Sequence, residues 1–287
     1  MLTLKQKGQP IAQIIGGKDN KELISVFDPD SNSSCCAFCS DKCHKTKNEL
    51  LRCCDKCKGK DCNKKENNNN CCGENSIEIH DDGKLEILPN FKERDIIYVA
   101  GPSGSGKSTI ASKIIEKFKD VYPKREVYIF SRLDKDPVLD RLKPNRIKID
   151  ESLVTRPIDI QTEIKEGALL LFDDVNTIQN PYIKHAIDSL MSDVMEAGRK
   201  LKIWLVITNH LVIPNEKKLA RTILNEMHKI VFFPKSGSSQ QITYALQKYF
   251  GLSKKNIEKI LQIKSRWILV NKNFPQYVLH EKGCYLL

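Results

Sequence analysis

The sequence predicts an α/β fold in which a mainly parallel sheet of five strands lies between helices, with a Cys-rich segment inserted ahead of it. Apolar runs alternate with amphipathic stretches from about residue 76 onward. A loop of glycine and serine follows the first of these runs, and two aspartates follow a later one. At 287 residues, of which 40% are hydrophobic, the chain is long enough for one sizeable core.

Strands that alternate with helices favour a parallel sheet covered on both faces. Strands are predicted at 95–100, 126–131, 168–173, 202–208 and 229–234. Helices are predicted at 107–119, 181–198 and 216–227. Near the C-terminus, helical periodicity on both sides of Gly251 is followed by two short apolar runs typical of a closing hairpin.

Composition divides the chain into three regions. Residues 1–34 contain two apolar stretches separated by GGKDN, a pattern typical of an N-terminal β-hairpin. Residues 35–75 hold ten of the eleven cysteines and almost no large apolar side chains, so this segment cannot form a hydrophobic core. Residues 76–287 carry the alternating pattern and form the main domain, including the C-terminal helices and hairpin.

The cysteines of the second region have the spacing of a zinc site. Cys36 and Cys39 form one C-x-x-C pair, and Cys54 and Cys57 form another after fourteen intervening residues. Four thiolates on two such turns hold one tetrahedral Zn²⁺. The interpretation is a structural zinc site, with a reduced disordered tract and redox or lipid-modified cysteines as alternatives.

The glycine-serine loop fits the phosphate-binding pattern G-x-x-x-x-G-K-[ST]. It follows a predicted strand and opens a predicted helix, as that pattern requires. Its backbone N–H groups and the positive end of the helix favour phosphate, while the lysine reaches the β- and γ-phosphates and the serine hydroxyl binds Mg²⁺. The predicted ATP-binding residues are Gly101, Pro102, Ser103, Gly104, Ser105, Gly106, Lys107, Ser108 and Thr109. The sequence therefore predicts a P-loop NTPase domain.

The acidic half of such a site follows the apolar run ALLLF. Asp173 and Asp174 come directly after it, where the carboxyl end of a central strand faces the ligand crevice. We expect Asp173 to bind Mg²⁺ with Ser108, and Asp174 to polarise the attacking water. The alternative for Asp174 is a helix cap or a loop acid.

Three further residues are catalytic candidates. Asn209 ends the strand that follows the acidic one. This order of strands resembles that of the additional-strand branch of the P-loop NTPases, in which a polar residue at that position senses the γ-phosphate; the alternative is a residue that starts a turn. Arg199 and Arg221 border the sheet, and either is a candidate for the cation that stabilises the transition state, often from a neighbouring subunit. For each arginine, a solvated surface position is the alternative.

Several stretches together resemble the poxvirus-type DNA-packaging ATPases of large DNA viruses, a branch of the FtsK/HerA superfamily. They are GPSGSGKST, EVYIFSRLDKDP, LLLFDDV, MEAGRKLKIWLVITNH and ARTILNEMHKIVFF, within residues 95–262. The resemblance implies nucleotide and Mg²⁺ binding by Lys107 and Ser108, an acidic pair of Asp173 and Asp174, and a homo-oligomeric ring that pumps double-stranded DNA. The family's usual residue at the sensor position is glutamine, and this chain has Asn209.

The charge and the absence of long apolar runs bear on partners and location. The formal charge of +11 favours polyanionic partners such as nucleic acid. No signal peptide and no run of about 18 apolar residues is present, which predicts an intracellular, soluble protein without a membrane span. If the protein is viral, the host cytoplasm or the virion is the expected place.

Two other functions share the phosphate loop. One is a nucleotide-dependent switch that recruits a partner through its Cys-rich segment, with slow hydrolysis or none. The other is a small-molecule kinase, which would place its acidic strand next to the loop strand and carry an arginine-rich lid; the sequence contains no such lid.

Overall fold

The computed structural model describes residues 1–4, 8–26 and 75–287. These residues divide into two compact units. One holds the described residues up to Glu86 together with Lys282–Leu287, and the other is Ile87–Glu281. The predicted boundary at residue 34 and the cysteine ligands of the predicted zinc site, Cys36, Cys39, Cys54 and Cys57, lie outside the described residues.

The elements of the described residues are numbered in chain order. The strands are β1 (Leu2–Leu4), β2 (Gln9–Ile15), β3 (Leu23–Val26), β4 (Ser76–Glu78), β5 (Lys84–Ile87), β6 (Ile96–Ala100), β7 (Val127–Ser131), β8 (Asn145–Lys148), β9 (Leu169–Phe172), β10 (Trp204–Asn209), β11 (Lys229–Phe232), β12 (Ile268–Asn271), β13 (Tyr277–His280) and β14 (Gly283–Leu286). The helices are α1 (Lys107–Val121), α2 (Pro137–Asp140), α3 (Ser152–Thr155), α4 (Pro181–Ala197), α5 (Lys217–Glu226), α6 (Ser239–Phe250) and α7 (Lys254–Leu261).

The smaller unit is built from antiparallel strands. Strands β2 and β3 form a hairpin whose turn contains Gly16 and Gly17, both with positive φ. The order of the four-stranded sheet is β1-β3-β2-β5, and β4 pairs antiparallel with β14 outside that sheet.

The larger unit contains the predicted parallel sheet. Its strand order is β13-β12-β11-β6-β10-β9-β7-β8. The six strands from β11 to β8 are parallel, and β12 and β13 are antiparallel additions at one side. The predicted α/β class is therefore confirmed, with one correction: the parallel part has a sixth strand, β8, beyond the five expected. This strand is at the edge, and its sequence NRIK has a single apolar residue.

The core lies around the four central strands. Every residue of β6, β9, β10 and β11 is buried, which is typical of parallel strands covered on both faces. Helix α1 packs an apolar face of Ile110, Ile114 and Phe118 toward this sheet. Helix α6 ends at Gly251, which has a φ of 69° and can take the left-handed position because it lacks a Cβ. No helix of the described ranges is long and apolar enough to cross a membrane.

Candidate functional site

The predicted phosphate loop connects β6 to α1 at the carboxyl edge of the sheet. The N–H of Gly101 donates to the carbonyl of Asn209 at 2.9 Å, which fixes the start of the loop to the neighbouring strand β10. A Cβ at Gly101 would lie 2.5 Å from the ring of Phe233, so no larger residue fits there. Gly106 has a φ of 111° and directly precedes α1. The loop therefore requires glycine at position 101, where a Cβ would clash with Phe233, and at position 106, where the backbone has a positive φ.

Lys107, the first residue of α1, directs its side chain across the site. The residue is 5% exposed, and its Nζ lies 3.5 Å from Oδ1 of Asp174 and 3.4 Å from the carbonyl oxygen of Pro102. Ser108 and Thr109 follow in the first turn of the helix. The ammonium group of Lys107 therefore lies between the phosphate loop and the acidic strand.

Strand order brings the acidic residues to the same edge as the loop. Strand β10 lies between the loop strand β6 and the acidic strand β9, and all three are parallel. Their carboxyl ends therefore meet at one edge, which is where ligands bind in open parallel sheets. This is the additional-strand arrangement that the sequence order predicted.

Asp173 is the buried member of the acidic pair, at 8% exposure. Its Oδ1 accepts a hydrogen bond from Oγ1 of Thr208 at 2.8 Å, and its Oδ2 accepts one from Oγ of Ser131 at 3.4 Å. Burial raises the pKa of Asp173, and the nearby Asp174 carboxylate raises that pKa further, while Thr208 and Lys107 act in the opposite direction. A carboxylate in this position is stabilised by a cation, because a cation relieves the cost of keeping it ionised.

The chemistry of the donor set fits Mg²⁺ at this position. Mg²⁺ binds through one or two protein oxygens and completes its octahedron with water and substrate phosphate, so it does not need a cage of protein ligands. Among the residues the structure describes, no cluster of three or more His, Cys, Asp or Glu is placed to hold a metal ion. Asp173 and the hydroxyl of Ser108 are the groups that would hold Mg²⁺ beside a bound triphosphate.

Asp174 has a backbone conformation that is unusual for an aspartate. Its φ is 46° and its ψ is 39°, in the left-handed region, which costs on the order of 1–3 kcal/mol for a residue with a side chain. The surrounding residues hold it there: its N–H donates to Oγ1 of Thr208 at 2.9 Å, and its Oδ2 lies 3.1 Å from Nε2 of His210. Thr208 thus contacts both aspartates, and this strained conformation directs the Asp174 carboxylate toward Lys107.

His210 is a site residue that the sequence analysis did not identify. It follows the last residue of β10 and is about one-third exposed. Its position in the sequence could have identified it: when β10 and β9 are adjacent and parallel, the residues that follow β10 lie beside those that follow β9. Its contact with Asp174 makes it a candidate for holding that carboxylate in place.

Asn209 is 2% exposed, and its Oδ1 accepts a hydrogen bond from the N–H of Leu211 at 3.0 Å. One end of its amide therefore stabilises the turn after β10. It lies next to Ala100, the last residue of the loop strand. The sensor role of Asn209 stays a prediction, and the turn-starting contact is present in the structure.

The two candidate arginines lie away from the phosphate loop of their own chain. Arg199 is exposed in the turn after α4, shortly before β10 begins, which is the amino edge of the sheet. Arg221 is exposed on α5 and lines a surface cavity with Glu196 and Glu226. Since the phosphate loop is at the carboxyl edge, Arg199 is not placed to contact a nucleotide bound to the same subunit.

Comparison with known proteins gives one sequence relative and several structures. The chain is 43% identical over 215 residues to the uncharacterized protein V3 of the Sputnik virophage, a match that covers 75% of this chain and 86% of the relative. No family model matches the chain.

Two solved structures illustrate the structural likeness. The genome-packaging NTPase B204 of Sulfolobus turreted icosahedral virus 2, in complex with AMPPCP, is 14% identical with a TM-score of 0.43, over 63% of this chain and 93% of B204. The conjugation coupling protein TcpA of pCW3, with ATPγS, is 14% identical with a TM-score of 0.48, over 94% of this chain and 76% of TcpA.

Proposed function

The chain belongs to the same family as protein V3 of the Sputnik virophage, and we propose that it is an ATP-binding, Mg²⁺-dependent P-loop ATPase that moves double-stranded DNA. One observation supports the ATPase part of the proposal: three charged side chains lie close together at one edge of the sheet. Lys107 of the phosphate loop lies 3.5 Å from Asp174, and Asp173 precedes Asp174 at the end of the acidic strand β9.

Each of these groups has a distinct role in phosphoryl transfer to water. The loop N–H groups and Lys107 bind the β- and γ-phosphates, and Ser108 and Asp173 hold Mg²⁺. Bound Mg²⁺ neutralises charge on the phosphate oxygens. Asp174, more exposed than Asp173 and held by Thr208 and His210, orients and polarises the attacking water.

The DNA part of the proposal is supported by the charge and by the motif set. A net charge of +11 favours association with a polyanion, and the spaced motifs resemble those of DNA-packaging ATPases. Arg199 lies at the edge opposite its own phosphate loop, so it would act on the nucleotide of another subunit. The proposal therefore includes a homo-oligomeric ring. In such a ring, Arg199 or Arg221 of one subunit would contact the nucleotide of the next, and Asn209 would sense its γ-phosphate. The virophage relative supports a viral setting, in the host cytoplasm or the virion.

The strand order disfavours a small-molecule kinase. Such a kinase would have its acidic strand beside the loop strand, and here β10 separates them. A nucleotide switch with little hydrolysis would share the same loop, and it differs from the ATPase in what Asp174 does. A switch would be indifferent to loss of the Asp174 carboxylate, whereas an ATPase would not.

Equilibrium binding of ATP with Mg²⁺ to the purified protein tests the site directly. We expect the wild type to bind ATP and Lys107→Ala to lose at least about tenfold in affinity, because charge-assisted contacts to phosphate are removed. Lys255→Ala, at an exposed position of α7, removes the same charge elsewhere and should bind as the wild type does. Equal affinity of the Lys107→Ala and Lys255→Ala variants for ATP would contradict the assignment of the loop.

A further inference from the structure

An arginine of the same chain lies against the phosphate loop. The guanidinium of Arg266 approaches Gly106 so closely that a Cβ added there would lie 3.2 Å from one of its terminal nitrogens and 3.6 Å from Cζ. The ring of Phe233 contacts the same point at 3.6 Å. Arg266 therefore lies beside the last glycine of the loop, where α1 begins.

Chain topology explains why a residue so far along the sequence reaches the loop. Strand β12 runs antiparallel to β11, with Ile268 opposite Phe232. An antiparallel strand beside a parallel one begins at the carboxyl edge, so Arg266, two residues before β12, lies at the edge that holds the loop. Its main-chain N–H donates to Oε2 of Glu281 at 2.9 Å, which fixes the backbone at this point.

The guanidinium of Arg266 has no direct partner among the residues that the structure describes. Within the described ranges, the Arg266 guanidinium takes part in no ion pair or hydrogen bond, and the residue is exposed. It lies next to the positive N-terminal end of α1, the helix whose first residue is Lys107. A cation is unfavourable at the N-terminus of a helix, so this arrangement is stabilised when an anion binds among these groups.

The side from which Arg266 approaches indicates which part of the anion it meets. Strands β11 and β12 are on one side of the loop strand β6, and β10 and the acidic β9 are on the other. Asp174, which polarises the water in the proposed function, is on the β9 side, so the γ-phosphate belongs there. We propose that Arg266 binds the α- and β-phosphates of the nucleotide, which remain on the product ADP. This inference rests on the proposed nucleotide site and adds to it a residue outside the loop motif.

The test compares two variants of one turn. Arg266→Ala removes the guanidinium, and Lys264→Ala removes an equal charge two residues earlier at an exposed position. We expect Arg266→Ala to weaken both ATP and ADP binding about 10- to 100-fold, the range for loss of a hydrogen bond to a charged group, with kcat at saturating ATP within about twofold of wild type. Lys264→Ala should leave both affinities near those of wild type.

The outcomes separate this proposal from the function on which it rests. If the wild type binds ATP and Arg266→Ala binds ATP and ADP as tightly as Lys264→Ala does, the Arg266 proposal is overturned and the nucleotide site stands. If Arg266→Ala lowers kcat strongly and leaves ADP affinity unchanged, the guanidinium acts at the γ-phosphate and the proposal is also overturned. If the wild type binds neither nucleotide, the proposed function fails and the Arg266 role fails with it.

Discussion

The Nζ atom of Lys107 lies 3.5 Å from Oδ1 of Asp174, so an ion pair across the end of strand β10 joins the phosphate loop to the acidic strand. The pair is partly sheltered, since the lysine side chain is 6% exposed and the aspartate side chain 31%. A bound triphosphate would compete with Asp174 for the ammonium group of Lys107. The same lysine would therefore bind phosphate and free the carboxylate that acts on water.

The Asp174→Asn variant tests this double role. We expect kcat for ATP hydrolysis to fall at least about 100-fold, because general base or polarising groups contribute roughly 10²- to 10⁴-fold. We expect ATP affinity to stay equal or to rise, because Lys107 no longer has a competing carboxylate. Steady-state kinetics and equilibrium binding measure the two effects separately, with Asp193→Asn, at an exposed position on α4, as the charge-matched control. A kcat within threefold of the control would favour the switch over the ATPase.

The contact between His210 and Asp174 predicts a positioning role for the imidazole. Its Nε2 lies 3.1 Å from Oδ2 of Asp174. A donor at this distance holds the carboxylate in place while the Asp174 backbone is in the left-handed region. We expect His210→Ala to lower kcat about 5- to 30-fold with ATP affinity unchanged, the effect of one lost hydrogen bond of about 1–2 kcal/mol. His210→Gln places an amide nitrogen near the position of Nε2 and should restore most of the rate. A glutamine variant as slow as the alanine variant would indicate a role other than hydrogen bonding.

A buried ion pair at the opposite edge of the sheet governs stability instead of catalysis. Asp95 is 1% exposed; its Oδ2 accepts hydrogen bonds from Nζ of Lys229 and, at 2.8 Å, from the N–H of Asn90. Burial alone would raise the pKa of Asp95, but Lys229, His228 and Asn90 outweigh that effect and hold this pKa well below the ordinary value of 3.8. The stability that this carboxylate contributes is therefore complete above pH 3.8 and is lost as the pH falls below it.

Lys229→Met tests that account by urea unfolding at several pH values. Loss of one partner leaves the other charge buried and unpaired, which costs about 3–5 kcal/mol at neutral pH. We expect the difference in unfolding free energy between wild type and variant to narrow as the pH is lowered toward 3.8 and beyond. Protonation of Asp95 removes a stabilising ion pair from the wild type, whereas in the variant it removes an unpaired buried charge. A difference that does not change between pH 7 and pH 3 would contradict the assignment to this pair.

The sequence predicted best what depends on local pattern. Strands β6, β9, β10 and β11 are continuous apolar runs in a fully buried sheet, and the phosphate loop has fixed glycine spacing. Strand β8 escaped prediction because an edge strand with half its surface in solvent needs few apolar residues. His210 and Arg266 were not predicted, because their place at the site depends on strand order. His210 follows β10, which lies beside β9, and Arg266 precedes the antiparallel strand β12.

The most direct test of the proposed function is the steady-state rate of ATP hydrolysis by the purified protein with Mg²⁺, measured with and without double-stranded DNA and with Lys107→Ala as the blank. We predict that DNA raises the rate severalfold in the wild type and has no effect on Lys107→Ala. Turnover that stays at the level of the Lys107→Ala blank with DNA present would contradict the DNA-translocating ATPase and leave a nucleotide-binding switch in its place.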